Sequence, residues 1–541
     1  MSATASAAAV PVVARPSTNK WLVAISVSFG SLMATIDTSI VNVAMPHIRG
    51  AVSATLQEIT WVSTGYIIAT VVVMPLTGFL GALIGQKRLY LGSLVLFVLG
   101  SVLCGMARSL PALVIFRILQ GFGGGALQPT QQAILRQTFP AREQGMAMAV
   151  FAMVNMIGPA IGPTLGGFIT DNYSWPWIFY INVPVGIVGV IAVTMFVTEP
   201  EDVRLANRAR AAAQRNHMDW AGIALMTVTV AFLQYFLEEG AANDWFESPL
   251  ITACAFIAGV ALIAFVIREL TAEVPAVNLR LFKDRTFLSG TAIAAVMFGM
   301  LVASMFLLPV FMQETLHYDA TRSGVTMMPR TVAMMIATPI VGRLYNRVPP
   351  AATIAFGVLL FVVGNYQLAQ ITLETSPGDL VVPLVVTGVA LSCLFVPLTT
   401  AALTHIPRHQ IADAAGLNSF VRQMGGSIGL TVFTTLLSRY VASARANLVT
   451  HLADGRGEVM TALAQMKAGF VARGYDAAAA HELALRLLNG RASAQAMVLA
   501  FEKSFFVQGI AFLAVLPLLF FLRVGPRTSS AAPAAAHMSM E

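Results

Sequence analysis

The amino-acid sequence predicts an all-α, polytopic membrane protein, and three observations lead there. Of 541 residues, 57% are hydrophobic and only 11% charged, against about 25% charged in an average soluble domain. Apolar runs of the ~20 residues that a helix needs to cross the hydrocarbon core recur along nearly the whole chain. The breaks between them are short and contain charges, Gly or Pro. A backbone in lipid must satisfy its own hydrogen bonds, so the runs read as helices; the roughly ten-residue alternation of a membrane barrel is absent.

The breaks place fourteen spans, at 21–45, 59–81, 89–108, 111–134, 145–169, 177–197, 219–237, 249–267, 287–311, 324–342, 351–370, 380–403, 414–437 and 504–522. The first twenty residues lack the apolar stretch of a cleaved signal peptide, so the first span is expected to direct insertion. An even count leaves both termini on one side, and the basic residues say which. With the termini inside, the cytoplasmic segments collect Lys87, Arg88, Arg136, Arg142, Arg204, Arg208, Arg210, Arg215, Arg343, Arg347 and Arg408, among others. The short outer loops hold only Arg49, Arg108 and Arg322, and carry acids such as Glu238, Glu239 and Asp244. Both termini are therefore expected in the cytoplasm.

One long outer segment, 438–503, is polar and Ala-rich, and long segments translocate whatever their charge. Helical periodicity around 440–452, 457–472 and 478–501 suggests a small external hairpin. There is also an internal repeat. The second span ends Gly78-Phe79-Leu80-Gly81-Ala82-Leu83-Ile84-Gly85-Gln86-Lys87-Arg88 and the tenth Gly342-Arg343-Leu344-Tyr345-Asn346-Arg347. The expected organisation is a cytoplasmic tail (1–20), a six-helix bundle (21–198), two inserted spans with flanking loops (199–286), a second six-helix bundle including 438–503 (287–523) and a second tail (524–541). Paired bundles around a central site are what secondary transporters are built from.

Other classes are disfavoured. The three cysteines, Cys104, Cys254 and Cys393, sit in apolar runs and suggest packing, not a disulfide framework. The eight histidines show no metal-ligand spacing, and topology explains the net charge of +7 better than nucleic acid does. Neither a Walker-type loop nor a Ser/His/Asp cluster appears, so no enzyme and no bound cofactor is expected.

Of 26 acidic residues, Asp37 alone sits well inside an apolar run, where a carboxylate costs at least ~2.5 kcal/mol and is functional by default. Arg117, about six residues into the fourth span, lies at the same depth, roughly 10 Å below the outer boundary. The pair reads as a proton-coupling site or as a static bridge. In the fourth span Arg117, Gln120, Gly121, Gly124, Gln128, Gln131 and Gln132 recur at i+3/i+4 spacing, a polar stripe that must face a cavity or another helix; the cavity is favoured, with Asn155 beside it. In the fifth, Gly158, Gly162 and Gly166 share one face and permit close approach, while Pro159 and Pro163 weaken the helix. With Gly167 these suggest a bending or sealing element between the bundles. Arg330 and Arg422 lie deep in the second bundle, as cavity residues or as posts bonded to backbone carbonyls. Three deep arginines against one aspartate favour neutral or weakly acidic cargo over dications.

At these residues the chain resembles the major facilitator superfamily, specifically its fourteen-span drug:proton antiporters of the EmrB/QacA type, over nearly its whole length. Asp37-Thr38-Ser39-Ile40-Val41-Asn42-Val43-Ala44-Met45-Pro46 is similar to the family's first-span motif, and Phe116-Arg117-Ile118-Leu119-Gln120-Gly121 to its fourth, whose arginine is implicated in proton coupling. Gly158-Pro159 through Gly166-Gly167 resembles the fifth-span antiporter motif; residues Trp177 to Pro184 and Arg422-Gln423-Met424-Gly425-Gly426 also match. The resemblance implies proton-driven export of hydrophobic drugs by alternating access. It makes Gly78, Gly85, Lys87, Arg88, Gly342, Asn346 and Arg347 gating-loop residues. It also implies a bacterial inner membrane, with a periplasmic adaptor and an outer-membrane channel as partners and 438–503 as a docking feature. One departure concerns the latch: the family's loop after the second span usually has an aspartate and a basic residue where this chain has Ala82 and Leu83. Two other readings stay open on the residues: a proton-coupled importer of a small organic solute, and a non-transporting membrane sensor or scaffold.

Overall fold

The computed structural model describes residues 19–215, 219–453 and 457–522; the expected tails lie outside the described residues except for Asn19 and Lys20. No strand occurs among the described residues. The first bundle comprises α1 (Lys20–Ala51), α2 (Leu56–Ile84), α3 (Gln86–Met106), α4 (Leu110–Thr138), α5 (Gln144–Asn172) and a broken pair, α6 (Trp177–Tyr180) and α7 (Asn182–Phe196). Helix α8 (Glu201–Arg215) leads to the inserted α9 (Trp220–Glu239) and α10 (Pro249–Thr271). The second bundle comprises α11 (Arg285–Val310), α12 (Ala320–Leu344), α13 (Pro350–Leu368), α14 (Pro377–Ala401), α15 (Ile411–Ala453), α16 (Gly457–Val471) and α17 (Ala477–Leu513).

Each expected span falls on one of these helices, with α6 and α7 sharing the sixth. Among the described residues twelve helical segments are long and apolar enough to cross a membrane. The count of fourteen, which adds α5 and α15, is consistent with that architecture.

Local sequence sets the helix ends. Thr55 and Glu58 form a reciprocal cap at the start of α2, satisfying two backbone N–H groups that have no partner within the helix. Gly85 joins α2 to α3 without a linker by taking φ = +89°, a conformation in which a Cβ would be strained. Asp284 and Asp319 accept the first N–H groups of α11 and α12. On α10, Phe256, Val260, Ile263 and Ile267 are exposed, as suits a helix whose outer face meets lipid.

In the outer segment the three expected stretches are helical, and α16 packs on α17. The outer two are not separate elements: α15 and α17 run through them as single helices of 43 and 37 residues. At 1.5 Å per residue that is about 65 and 56 Å, far more than the ~30 Å hydrocarbon core. Polarity ends the buried part of these helices without ending the helix, because the Ala-rich extensions keep high helix propensity.

The packing gives two groups and a third, peripheral pair. Helix α4 is packed by α2 and α3, and α1 by α5 and α7; α14 is packed by α12 and α13, and α15 by α11 and α17; α9 packs on α10. The two bundles meet along α5 with α12 and along α2 with α15, so each bundle lends the same two of its helices to the seam.

Candidate functional site

Asp37 is 0% exposed and Arg117 1%. Arg117 Nη1 donates to Asp37 Oδ2 at 2.6 Å and to Gln120 Oε1 at 2.7 Å. The second carboxylate oxygen, Oδ1, accepts from Gln120 Nε2 at 3.0 Å and from Asn182 Nδ2 at 2.8 Å. Behind them Ser101 Oγ accepts from both amides, at 3.1 and 2.9 Å. Arg117 Nε donates to the Val62 carbonyl at 3.2 Å, and the guanidinium lies 4.2 Å from the Tyr66 ring centre. Five helices, α1, α2, α3, α4 and α7, therefore converge on one carboxylate. A buried charge is tolerated when it is paired and its remaining lone pairs are hydrogen-bonded, and here both conditions are met.

Sequence reasoning did not single out Asn182, Ser101 and Tyr66. Asn182 carried a signal: it is the polar residue at the break between α6 and α7, inside a stretch that already matched a family motif. Ser101 and Tyr66 carried none, since hydroxyls are common in membrane helices.

Arg422 of α15 is a charge at the seam between the bundles. It is 3% exposed, and Nη2 donates to Gln128 Oε1 of α4 at 3.4 Å. The guanidinium lies 5.7, 5.4 and 5.4 Å from the ring centres of Phe151 (α5), Phe298 (α11) and Phe395 (α14). Its Nη1 has no hydrogen-bond partner and no carboxylate pairs with it among the described residues. Arg330 lies elsewhere, within the second bundle: Nη1 donates to Ser304 at 3.1 Å, while Nε and Nη2 have no partner among the described residues. Neither arginine makes a hydrogen bond to a backbone carbonyl in these contacts.

The polar stripe of α4 divides. Gln120 joins the Asp37 cluster instead of a cavity. Gly121 and Gly124 press against Tyr66 of α2, and Gln131 Nε2 donates to Ser28 of α1 at 3.2 Å. Gln128 alone reaches across to the second bundle; Gln132 is buried with neither amide atom partnered among the described residues. Asn155 donates to the Phe151 carbonyl one turn earlier in α5.

The glycines of α5 face α1, not the other bundle. A Cβ at Gly158 or Gly162 would come to 2.4 Å from Thr35 or Ser39, and Gly166 sits over Ile40. The stripe therefore seals α5 to its own bundle. Gly167 meets nothing within 4 Å, α5 is helical throughout, and the side chains of Pro159 and Pro163 lie outside those described.

At the face that carries the basic loops, polar contacts cross the seam. Arg136 donates to the carbonyls of Thr400 and Leu403, Arg408 to that of Gln137, and Asn346 to that of Arg142. Gly342 of α12 packs on the Gly145 backbone of α5. Gly78 of α2 packs on Asp413 of α15, whose carboxylate receives Arg210 of α8 at 2.7 Å. Where resemblance leads to an acid at position 82, the acid at this contact comes from α15 instead. Lys87 donates to the Thr194 carbonyl; Arg88 and Arg347 are exposed.

Residues 27–430 match the family described as Major Facilitator Superfamily. The chain is 35% identical over 433 residues to the multidrug export protein EmrB of Haemophilus influenzae, covering 80% of this chain and 83% of that one. It is 31% identical over 497 residues to the fatty acid resistance protein FarB of Neisseria gonorrhoeae, covering 92% and 95%. The fold is similar to that of the proton:xylose symporter XylE, with a TM-score of 0.58 at 12% identity over 93% of this chain and 95% of the other. The chain belongs to the major facilitator superfamily, as a multi-pass membrane protein of its EmrB type.

Proposed function

We propose that the protein is a proton-driven secondary exporter of hydrophobic toxic compounds, neutral or weakly acidic, working without a bound cofactor. Arg422 carries the cargo reading. A buried guanidinium at the seam, ringed by three phenyl groups and with a free donor, offers one charge and an apolar wall to a molecule with a carboxylate head and a hydrophobic body. A lipophilic dication would face an uncompensated like charge. The names of the relatives, multidrug export and fatty acid resistance, support the same class.

Asp37 is the group for proton exchange. Protonating it removes the charge that Arg117 balances and weakens the charge-assisted bonds that tie α1 to α4, which couples a proton to helix packing. Alternating access then rocks one bundle against the other along α2/α15 and α5/α12, starting from the arrangement with the basic face closed. The membrane is a bacterial inner membrane, with the basic face and both termini cytoplasmic. The extended α15 to α17 segment is the region to engage a periplasmic adaptor, which would pass cargo to an outer-membrane channel.

The test is transport into inverted membrane vesicles. A fluorescent long-chain fatty acid should accumulate when the vesicle interior is acidic and stop when the gradient is collapsed, and a lipophilic dication should move poorly. Preference for the dication would overturn the cargo reading, and transport indifferent to the gradient would overturn the coupling.

A further inference from the structure

The inserted pair brings a second carboxylate to the seam. Helix α9 leaves the basic face at Trp220 and ends at the opposite face with Glu238 and Glu239. Glu238, expected in a loop, is instead half-buried in the last turn of the helix. Its carboxylate accepts from the Thr64 hydroxyl of α2 and, at 2.7 Å, from Gln234 Nε2 one turn earlier. Gln234 Nε2 also donates to Ser427 of α15 at 3.1 Å, and the Leu237 carbonyl accepts from Thr431 of α15 at 2.9 Å. The end of α9 thus ties α2 of one bundle to α15 of the other.

The charges around Glu238 differ from those around Asp37. Among the described residues no basic side chain lies within ion-pair distance of it. The facing groups are neutral: Thr60 and Thr64 on α2, Ser427 and Thr431 on α15. On α9 itself Tyr235 stacks on Trp61 of α2, and Glu239 adds a like charge, with the Thr60 hydroxyl at 3.4 Å. On the far side α9 packs on α10. The same stretch of α2 is gripped from inside the bundle, where Arg117 donates to the Val62 carbonyl and stacks on Tyr66.

We infer that Glu238 is a proton-gated positioning residue of the transport cycle, which ties α2 to α9 and α15 when ionised and releases that tie when protonated from the outer solution. This rests on the proton-driven reading above. The chemistry is one reversible proton transfer: a proton from the outer solution adds to a carboxylate oxygen and leaves the same way. Ionised, the carboxylate accepts two charge-assisted bonds, which are shorter and roughly twice as strong as neutral ones. Neutralised, it keeps weaker bonds, and the turn from Val62 to Tyr66 is freed on the side away from Arg117.

The test is a distance measurement between spin labels at S53C and S438C, next to α2 and on α15 at this face, in nanodiscs, with the three buried cysteines replaced by alanine. Between about pH 8 and about pH 4, a range that spans the titration of a carboxylate, the distance distribution should shift. Glu238→Gln should show the acidic distribution at both pH values, and Glu238→Asp should keep a shift. A wild-type distribution indifferent to pH, or Glu238→Gln that shifts like wild type, would overturn the inference. Vesicle transport measured alongside separates the two readings. Gradient-driven transport without the label shift removes Glu238 alone, whereas the shift without gradient-driven transport removes the antiport reading and leaves the switch.

Discussion

Two buried charge centres, one in each bundle, are built in opposite ways. Around Asp37 both carboxylate oxygens are hydrogen-bonded and paired with Arg117, and the charges cancel within the first bundle. Around Arg422 one donor is spare, the nearest groups are aromatic faces and an amide, and no acid among the described residues answers the charge. The first arrangement is charge-balanced without a ligand, and under the proposed function it would have to be disrupted to work. The second is incomplete and gains most when something with negative charge arrives. On the proposed function the difference would separate energy coupling from recognition: the paired centre ties helices together, and the unpaired one is where an acidic cargo would bind.

The largest effect should come from unbalancing the paired centre. Asp37→Asn keeps the shape but strands Arg117, and removing one member of a buried pair costs about 3–5 kcal/mol. Thermal melting in detergent should fall accordingly, and gradient-driven transport should be lost while the protein still inserts. Adding Arg117→Gln to Asp37→Asn should recover much of the stability without the transport. If the single variant melted like wild type, the centre would not be the closed charge pair described.

The unpaired centre should respond with the other sign. Arg422→Gln removes a buried cation that has no counter-charge, so stability should stay level or rise. Transport of the hydrophobic acid should nonetheless fall by at least about tenfold, since a hydrogen bond to a charged group is worth roughly 1.5–3 kcal/mol. Arg422→Lys keeps the charge but loses the planar fork that stacks on rings, and should recover only part. Equal melting losses for Arg422→Gln and Asp37→Asn would erase the contrast between the bundles.

Much of the first centre was legible because a charge inside an apolar run has so few explanations. Asp37 and Arg117 needed only helix rise to be put at one depth. What was not legible was direction. The glycines of α5 define a face, but periodicity does not say which helix meets it, and α1 rather than the second bundle occupies it. The stripe on α4 is one stripe in sequence and three environments in space. Glu238 was assigned to a loop because hydropathy ends at Leu237, although the helix continues to Glu239. The extensions of α15 and α17 were legible as helices, but their continuity with the spans was hidden for the same reason: hydropathy marks where lipid ends, and the backbone hydrogen bonds of a helix do not depend on it.

The smallest effect should lie between the two extremes, at the pair of Arg210 and Asp413. Here the acid is buried and the base is about a third exposed, with side-chain exposures of 7% and 30%. Breaking it with Arg210→Gln should cost no more than ~1 kcal/mol, the range of partly solvated ion pairs, and melting should barely move. Its consequence should be conformational, because the pair stands where α8, α2 and α15 meet and where Gly78 lets α2 touch Asp413 directly. A loss near 1 kcal/mol changes a two-state population by roughly fivefold. A cysteine at Thr77, which is 2% exposed in α2 beside this contact, should then react several times faster with a membrane-permeant maleimide in Arg210→Gln than in the parent. Arg136 and Arg408, which bond to carbonyls across the same face, remain in place in that variant, so the gate should loosen without falling open. If reactivity at position 77 stayed the same, the acid on α15 would not be the substitute for the one absent at Ala82, and the closed basic face would rest on the carbonyl contacts alone.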